Sequence, residues 1–230
     1  MRFLPSHAPG MRIGLFGGSF NPPHQGHLLV SHLAITRLRL DRLWWLVTPG
    51  NPLKDSANLA PLDWRISHAR ALTRDPRIIV TDIEKKIGTQ FTSDTLSFLR
   101  ARCRGVRFVW IMGADNLLEF HRWRHWQEII RLMPVAIIDR PGATWNVSAA
   151  KVVKYFASSR ISEAQAYMLA EVIPPAFVVI HGPRSQSSST LSRAQEQHGE
   201  FWSQQARAAR KLALFAIEEG QYPALIGKET

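Results

Sequence analysis

Gly17-Gly18-Ser19-Phe20-Asn21-Pro22-Pro23-His24-Gln25-Gly26-His27 is the stretch whose reading decides the fold of this chain. The apolar run Ile13 to Phe16 precedes it and the apolar segment Leu28 to Leu38 follows, so the order is strand, glycine turn, helix start. Such a turn suits phosphate. Gly17 and Gly18 lack a Cβ, which lets a ligand approach the backbone, and the first N–H groups of a helix favour an anion in front of them. Pro22 and Pro23 suit the turn and the first helical turn, where a missing N–H costs little. His24 and His27 stand three apart, a spacing that puts both imidazoles on one face of the first helical turn. Two imidazoles there can donate hydrogen bonds to a polyphosphate and to the charge that builds at an attacked phosphorus.

Other readings of the stretch fit less well. The glycines run 14, 17, 18 and 26, so the dinucleotide fingerprint G-x-G-x-x-G is absent. A zinc pair at His24 and His27 would lack an intervening glutamate, and the only cysteine is Cys103, so no protein metal site is expected. A helix start with two solvated histidines is the default for H-x-x-H in isolation. The glycine pair and the prolines in front of it weigh against that default.

Outward from this stretch, Leu43 to Val47, Ile78 to Val80, Val106 to Met112, Val135 to Ile138 and Phe177 to Ile180 read as buried strands. Helices are expected from Pro61 to Leu72, with Leu62, Ile66 and Ala69 on the apolar stripe, and from Thr92 to Ala101, with Thr92-Ser93-Asp94 as its cap. Two more are expected over 147–157 and 162–171. Strands alternating with helices predict an α/β fold with a doubly wound, mainly parallel sheet, whose ligands bind beyond the strands' carboxyl ends. Residues 1–10 read as an N-terminal extension, 11–200 as the nucleotide-handling domain and 201–230 as a helical C-terminal tail; Met11 is an alternative start.

The 230 residues carry a formal net charge of +11, which favours anionic partners without choosing among them. One cysteine excludes an internal disulfide framework and fits a reducing compartment, so a cytoplasmic location is expected. No apolar run approaches the ~18 residues of a membrane helix, and neither a membrane nor a nucleic-acid partner is expected.

Gly17 to His27 resembles the G-G-[ST]-F-[DN]-P-x-H-x-G-H signature of the nucleotidyltransferases related to class I aminoacyl-tRNA synthetases. Their second motif, I-S-x-T-x-x-R, is matched by Ser187-Ser188-Ser189-Thr190-Leu191-Ser192-Arg193. Intervening segments are similar to the bacterial nicotinate-nucleotide adenylyltransferases. The resemblance implies a Rossmann-like nucleotidyltransferase fold and transfer of the adenylyl group of ATP, with Mg2+, to nicotinate mononucleotide in NAD biosynthesis. It also implies that Gly17, Gly18, Ser19, Phe20, His24, His27, Lys54, Ser188, Thr190 and Arg193 bind ATP, with His24, His27 and Arg193 catalytic. Phe91 and Thr92 would meet the pyridine carboxylate through their backbone N–H groups, Trp123 would stack on the ring, and Asp115 and Arg140 match the family's G-x-D and R-P-G. Leu53 replaces a common histidine, Ser187 an isoleucine and Phe91 a tyrosine. An adenylyltransferase acting on nicotinamide mononucleotide or phosphopantetheine, and a non-catalytic nucleotide-binding regulator, are the alternatives.

Overall fold

Parallel strands covered on both faces must be apolar on both, and β1 (Arg12–Gly18), β2 (Arg42–Val47), β3 (Ile78–Thr81), β4 (Arg107–Gly113), β5 (Val135–Asp139) and β6 (Phe177–His181) meet that condition with nearly continuous buried runs. In a computed structural model, which describes residues 3–50, 59–139 and 150–182, they form one sheet in the order β3-β2-β1-β4-β5-β6. Every adjacent pair is parallel. Successive side chains leave opposite faces of a strand, so the adjacent tryptophans Trp44 and Trp45 serve two separate cores. Trp44 belongs to the core that also holds Leu15, Trp110 and Phe177, while Trp45 belongs to the core that holds Phe16, Val109 and Val178. The expected doubly wound sheet is therefore the fold. Its order reverses between β1 and β4, and the crevice beyond their carboxyl ends is where such sheets take ligands.

The helices are α1 (Gln25–Arg37), α2 (Leu62–Leu72), α3 (Ile83–Ile87), α4 (Thr92–Arg102), α5 (Ala114–Phe120), α6 (Trp126–Leu132) and α7 (Lys151–Tyr155). Among these, α3, α5 and α6 have no counterpart in the sequence expectations. They hold five to seven residues each, too short for an apolar period to show. The helix expected over 147–157 is α7 followed by a 3₁₀ turn, Ala157–Ser159, with 147–149 outside the described residues. That expected over 162–171 is a 3₁₀ helix, Glu163–Glu171, whose buried Ala166 and Leu169 lie three apart. Three residues per turn is the 3₁₀ period, so this winding keeps both on the sheet side.

Residues of the N-terminal extension lie against the domain. Leu4 packs on the core, the His7 ring meets Trp44 edge-on, and the Gly10 N–H donates to the Gly105 carbonyl at 2.8 Å. No described helix is long and apolar enough to cross a membrane. The tail expected over 201–230 lies outside the described residues.

Candidate active site

At the end of β1, a Cβ on Gly17 would overlap the Trp110 indole of β4. Glycine is required here by close packing between neighbouring strands, and Trp110 fills the space the missing Cβ leaves. Phe20 follows in the left-handed region (φ 46°), a strained position for a bulky residue. Its buried ring stacks on Trp45 at 4.6 Å and lies 4.8 Å from His27, and burial of this ring offsets the strain.

The two histidines differ from the expected arrangement in one respect. His24 is extended (φ −147°, ψ 172°) and is the N-cap of α1, so only His27 stands on the helix. His24 Nδ1 accepts from the Gly26 N–H at 3.1 Å, while His27 Nδ1 accepts from the His24 N–H at 3.1 Å. This is a reciprocal capping box built from histidines, and it sets their chemistry. Each Nδ1 is an acceptor, so each neutral ring carries its proton on Nε2, where it can act as a donor. The rings sit 3.8 Å apart, centre to centre. Below them the Ser31 hydroxyl donates to the His27 carbonyl at 2.7 Å and accepts from Trp45 Nε1 at 2.8 Å, which ties the helix start to β2.

Behind the cradle lies Arg65 of α2, 1% exposed. Its guanidinium donates to four backbone carbonyls: Ser19 at 2.6 Å, Thr48 at 2.8 Å, Ala60 at 2.9 Å and Pro49 at 3.4 Å. These belong to the turn after β1, the turn after β2 and the lead into α2. The Ala60 N–H in turn donates to Asn21 Oδ1 at 3.1 Å. Burial pulls the Arg65 pKa down to about 10, so the group is still a cation at neutral pH.

A cavity of about 330 Å³ opens from this cradle, a volume in the range of small-ligand sites. Gly17, Gly18, Ser19 and His27 line one end, and Thr48 and Gly50 join them from the turn after β2. Phe91 and Trp123 line the other end, with Thr92, Asp115, Asn116, Arg122 and Arg124, and Trp110, packed against Gly17 and edge-on to Trp123, lies between the two. Asp115 is the second residue of α5, where the helix dipole favours a carboxylate. Trp123 is half-buried, its ring edge-on to Trp110 and Phe120, so it serves the core and the cavity together.

Two expectations about α4 need correction. Its N-cap is Phe91, with no side-chain cap, and Thr92 is its first helical residue. The Phe91 N–H is spent on Thr89 Oγ1 at 3.1 Å, and the Thr89 hydroxyl donates to Asp94 Oδ2 at 3.1 Å. Thr89 thus closes the turn that Thr92 was expected to cap, and the donor pair proposed for a carboxylate is reduced to the Thr92 N–H.

Beneath α4, Glu84 is 4% exposed, and its Oε1 accepts from Thr95 Oγ1 at 3.4 Å. Burial raises its carboxyl pKa to about 7, with the Thr48 and Thr95 hydroxyls opposing the shift.

Of the residues singled out from sequence, eight line the cavity: Gly17, Gly18, Ser19, His27, Phe91, Thr92, Asp115 and Trp123. His24 stands beside it and Phe20 packs underneath. Lys54, Arg140, Ser188, Thr190 and Arg193 lie outside the described residues. Arg65, Glu84, Trp110 and Arg124 were not anticipated. In sequence Arg65 is one arginine of an amphipathic helix and Glu84 one charge in Asp82-Ile83-Glu84-Lys85-Lys86, both of which read as solvated faces. Among the described residues no group of three or more His, Cys, Asp or Glu side chains is placed to hold a metal ion.

Comparison with known proteins gives concordant matches. Residues 15–195 match the cytidylyltransferase-like family. The chain is 60% identical over 183 residues to a probable nicotinate-nucleotide adenylyltransferase of Methylorubrum extorquens, covering 80% of this chain and 99% of the relative. It is 51% identical over 197 residues to a protein of the same name from Rhizobium johnstonii, covering 86% and 99%. In fold it is similar to the Plasmodium falciparum nicotinic acid mononucleotide adenylyltransferase complexed with NaAD, with a TM-score of 0.56, 16% identity, and coverage of 76% of this chain and 77% of that one.

Proposed function

The chain belongs to the cytidylyltransferase-like family, among its nicotinate-nucleotide adenylyltransferases, and we propose that it joins the adenylyl group of ATP to nicotinate mononucleotide, releasing pyrophosphate and giving deamido-NAD for NAD biosynthesis. A phosphate oxygen of the mononucleotide attacks the α-phosphorus of ATP. The new P–O bond forms as the bond from that phosphorus to the bridging oxygen breaks, and pyrophosphate leaves with the electron pair. The attacking group is already an anion and needs no protein base, so catalysis reduces to alignment and to absorbing the developing charge.

The observation that carries this reading is the histidine capping box, because it turns two Nε2–H donors into a preorganised pair at the crevice. In this assignment His27 donates to the α-phosphate and His24 to the neighbouring phosphates. Gly17, Gly18 and Ser19 let the chain of phosphates lie along the turn. Arg193, with Ser188 and Thr190, would hold the β- and γ-phosphates, and Lys54 would add charge. Mg2+ is read as arriving on the ATP phosphates, since it is commonly held by substrate phosphates with one or two carboxylates, and Glu84 and Asp115 are the described carboxylates that line the cavity. It would neutralise charge on the leaving pyrophosphate. The pyridine ring fits the aromatic end, against Trp123 and Trp110, with Asp115 and Arg140 assigned to the mononucleotide.

Pyrophosphate release measured with ATP and a panel of acceptors tests this reading. Nicotinate mononucleotide is expected to be the best of nicotinate mononucleotide, nicotinamide mononucleotide and phosphopantetheine. Turnover with phosphopantetheine alone, or with none, would refute it.

A further inference from the structure

The side chain of Arg124 is the determinant that selects an acidic over an amide pyridine ring, we infer, acting as the counter-charge for the ring carboxylate. The inference rests on the proposed function and deepens it.

The two ends of the cavity differ in chemistry. One carries glycine backbone and His27 and suits phosphate; the other carries the side chains of Phe91 and Trp123, with Trp110 between the two, and suits a flat ring. A substituent on a ring held there meets the first turn of α4 and the loop that follows α5. Of the backbone donors at the start of α4, the Phe91 N–H is already spent on Thr89. The N–H groups of the first helical turn carry partial charges only and bring no formal counter-charge to an anion.

Arg124 supplies what is missing. Its guanidinium carbon lies 4.6 Å from the centre of the Phe91 ring, and its Nη1 is 3.8 Å from Asp94 Oδ2 in the first turn of α4. The aromatic face and the aspartate hold the group over the helix start, while one long ion pair leaves most of its five N–H donors for a ligand. Arg122, the other cation of this wall, is drawn back toward α5, with Nη1 3.9 Å from Glu119 Oε1. The acids nearby make a cation necessary. Asp115 lines the same wall and Asp94 stands behind it, so a carboxylate entering without Arg124 would meet a field of its own sign. A neutral amide meets no such penalty and gains little from the guanidinium.

Steady-state kinetics with the acid and amide mononucleotides as acceptors, on the full chain, provide the test. For Arg124→Ala the KM for the acid is expected to rise roughly 10- to 100-fold, while its kcat, the KM for the amide and the KM for ATP stay within about 3-fold. Arg124→Lys restores part of the acid preference through charge alone, and Arg122→Ala leaves the acid-to-amide ratio within about 2-fold. An unchanged ratio in Arg124→Ala, an equal loss on both acceptors, or a collapse of the ratio in Arg122→Ala instead would overturn the assignment and leave the proposed function standing. A wild-type chain that turns over neither mononucleotide would overturn both.

Discussion

The two ends of the cavity are built in different ways. At the end proposed for phosphate, most of the described lining comes from one continuous segment, residues 17–27, and the bonds that orient its histidines span two or three positions: His24 Nδ1 with the Gly26 N–H, His27 Nδ1 with the His24 N–H. At the acceptor end, Glu84, Phe91, Thr92, Asp115, Trp123 and Arg124 come from α3, α4, α5 and the turn beyond it. A site made from one turn is preorganised by its own caps. A site made from several short elements depends on how they pack, and its selectivity is open to change by single surface residues such as Arg124. The difference implies that damage to the phosphate end stops chemistry, whereas damage to the acceptor end redirects it.

The sharpest way to break that contrast is Arg65→Ala. Removing the guanidinium orphans the carbonyls of Ser19, Thr48 and Ala60 together and opens a cavity behind the cradle, so a loss of about 3 to 5 kcal/mol is expected, read from the urea midpoint. Arg65→Lys is expected to recover less than half, because an ammonium lacks the planar fork. A loss under about 1 kcal/mol would show that the three loops hold one another without it.

His27→Ala comes next. Loss of one transition-state donor is expected to lower kcat about 10²-fold or more, near 3 kcal/mol, with little change in the folded spectrum by circular dichroism. The KM for the mononucleotide should hardly move. A near-normal kcat would take His27 out of the chemistry.

Glu84 offers a pH test of the acceptor end. Its folded pKa, about 7, lies above the ordinary 4.5 because burial disfavours the carboxylate. The folded state therefore holds a proton the unfolded chain has lost, and this contribution is complete below about 4.5 and disappears as pH rises through about 7. Wild-type stability is expected to fall by roughly 2 to 3 kcal/mol relative to Glu84→Gln between pH 4.5 and 8. Parallel stability curves for the two proteins would show that Glu84 is solvated.

The smallest effect is expected for Thr89→Ala. The lost bonds to the Phe91 N–H and Asp94 should cost about 1 kcal/mol in urea denaturation. The released Phe91 N–H becomes a further donor for a carboxylate, so the KM for the acid acceptor is expected to stay level or fall. A rise in that KM would mean that the turn's shape, and not its spare donor, governs the acceptor end.

Much of this was open to reading from the chain alone, and the reason is locality. A glycine pair between an apolar run and an amphipathic segment defines a strand, a turn and a helix start within some twenty residues, and buried runs such as Leu43 to Val47 or Val135 to Ile138 announce a sheet covered on both faces. The two motifs were enough to point to nucleotidyl transfer, and the first of them contains four residues that line the cavity, Gly17, Gly18, Ser19 and His27. Tertiary packing decided the rest. That Gly17 is demanded by the Trp110 indole, that Arg65 turns inward to carbonyls as far as 46 positions away, that the Phe91 N–H is already spent, and that Arg124 hangs over Phe91 are facts about groups brought together by folding. A side chain's environment, and with it its charge and its free donors, is set by neighbours in space, and residue order specifies those neighbours only through the fold as a whole.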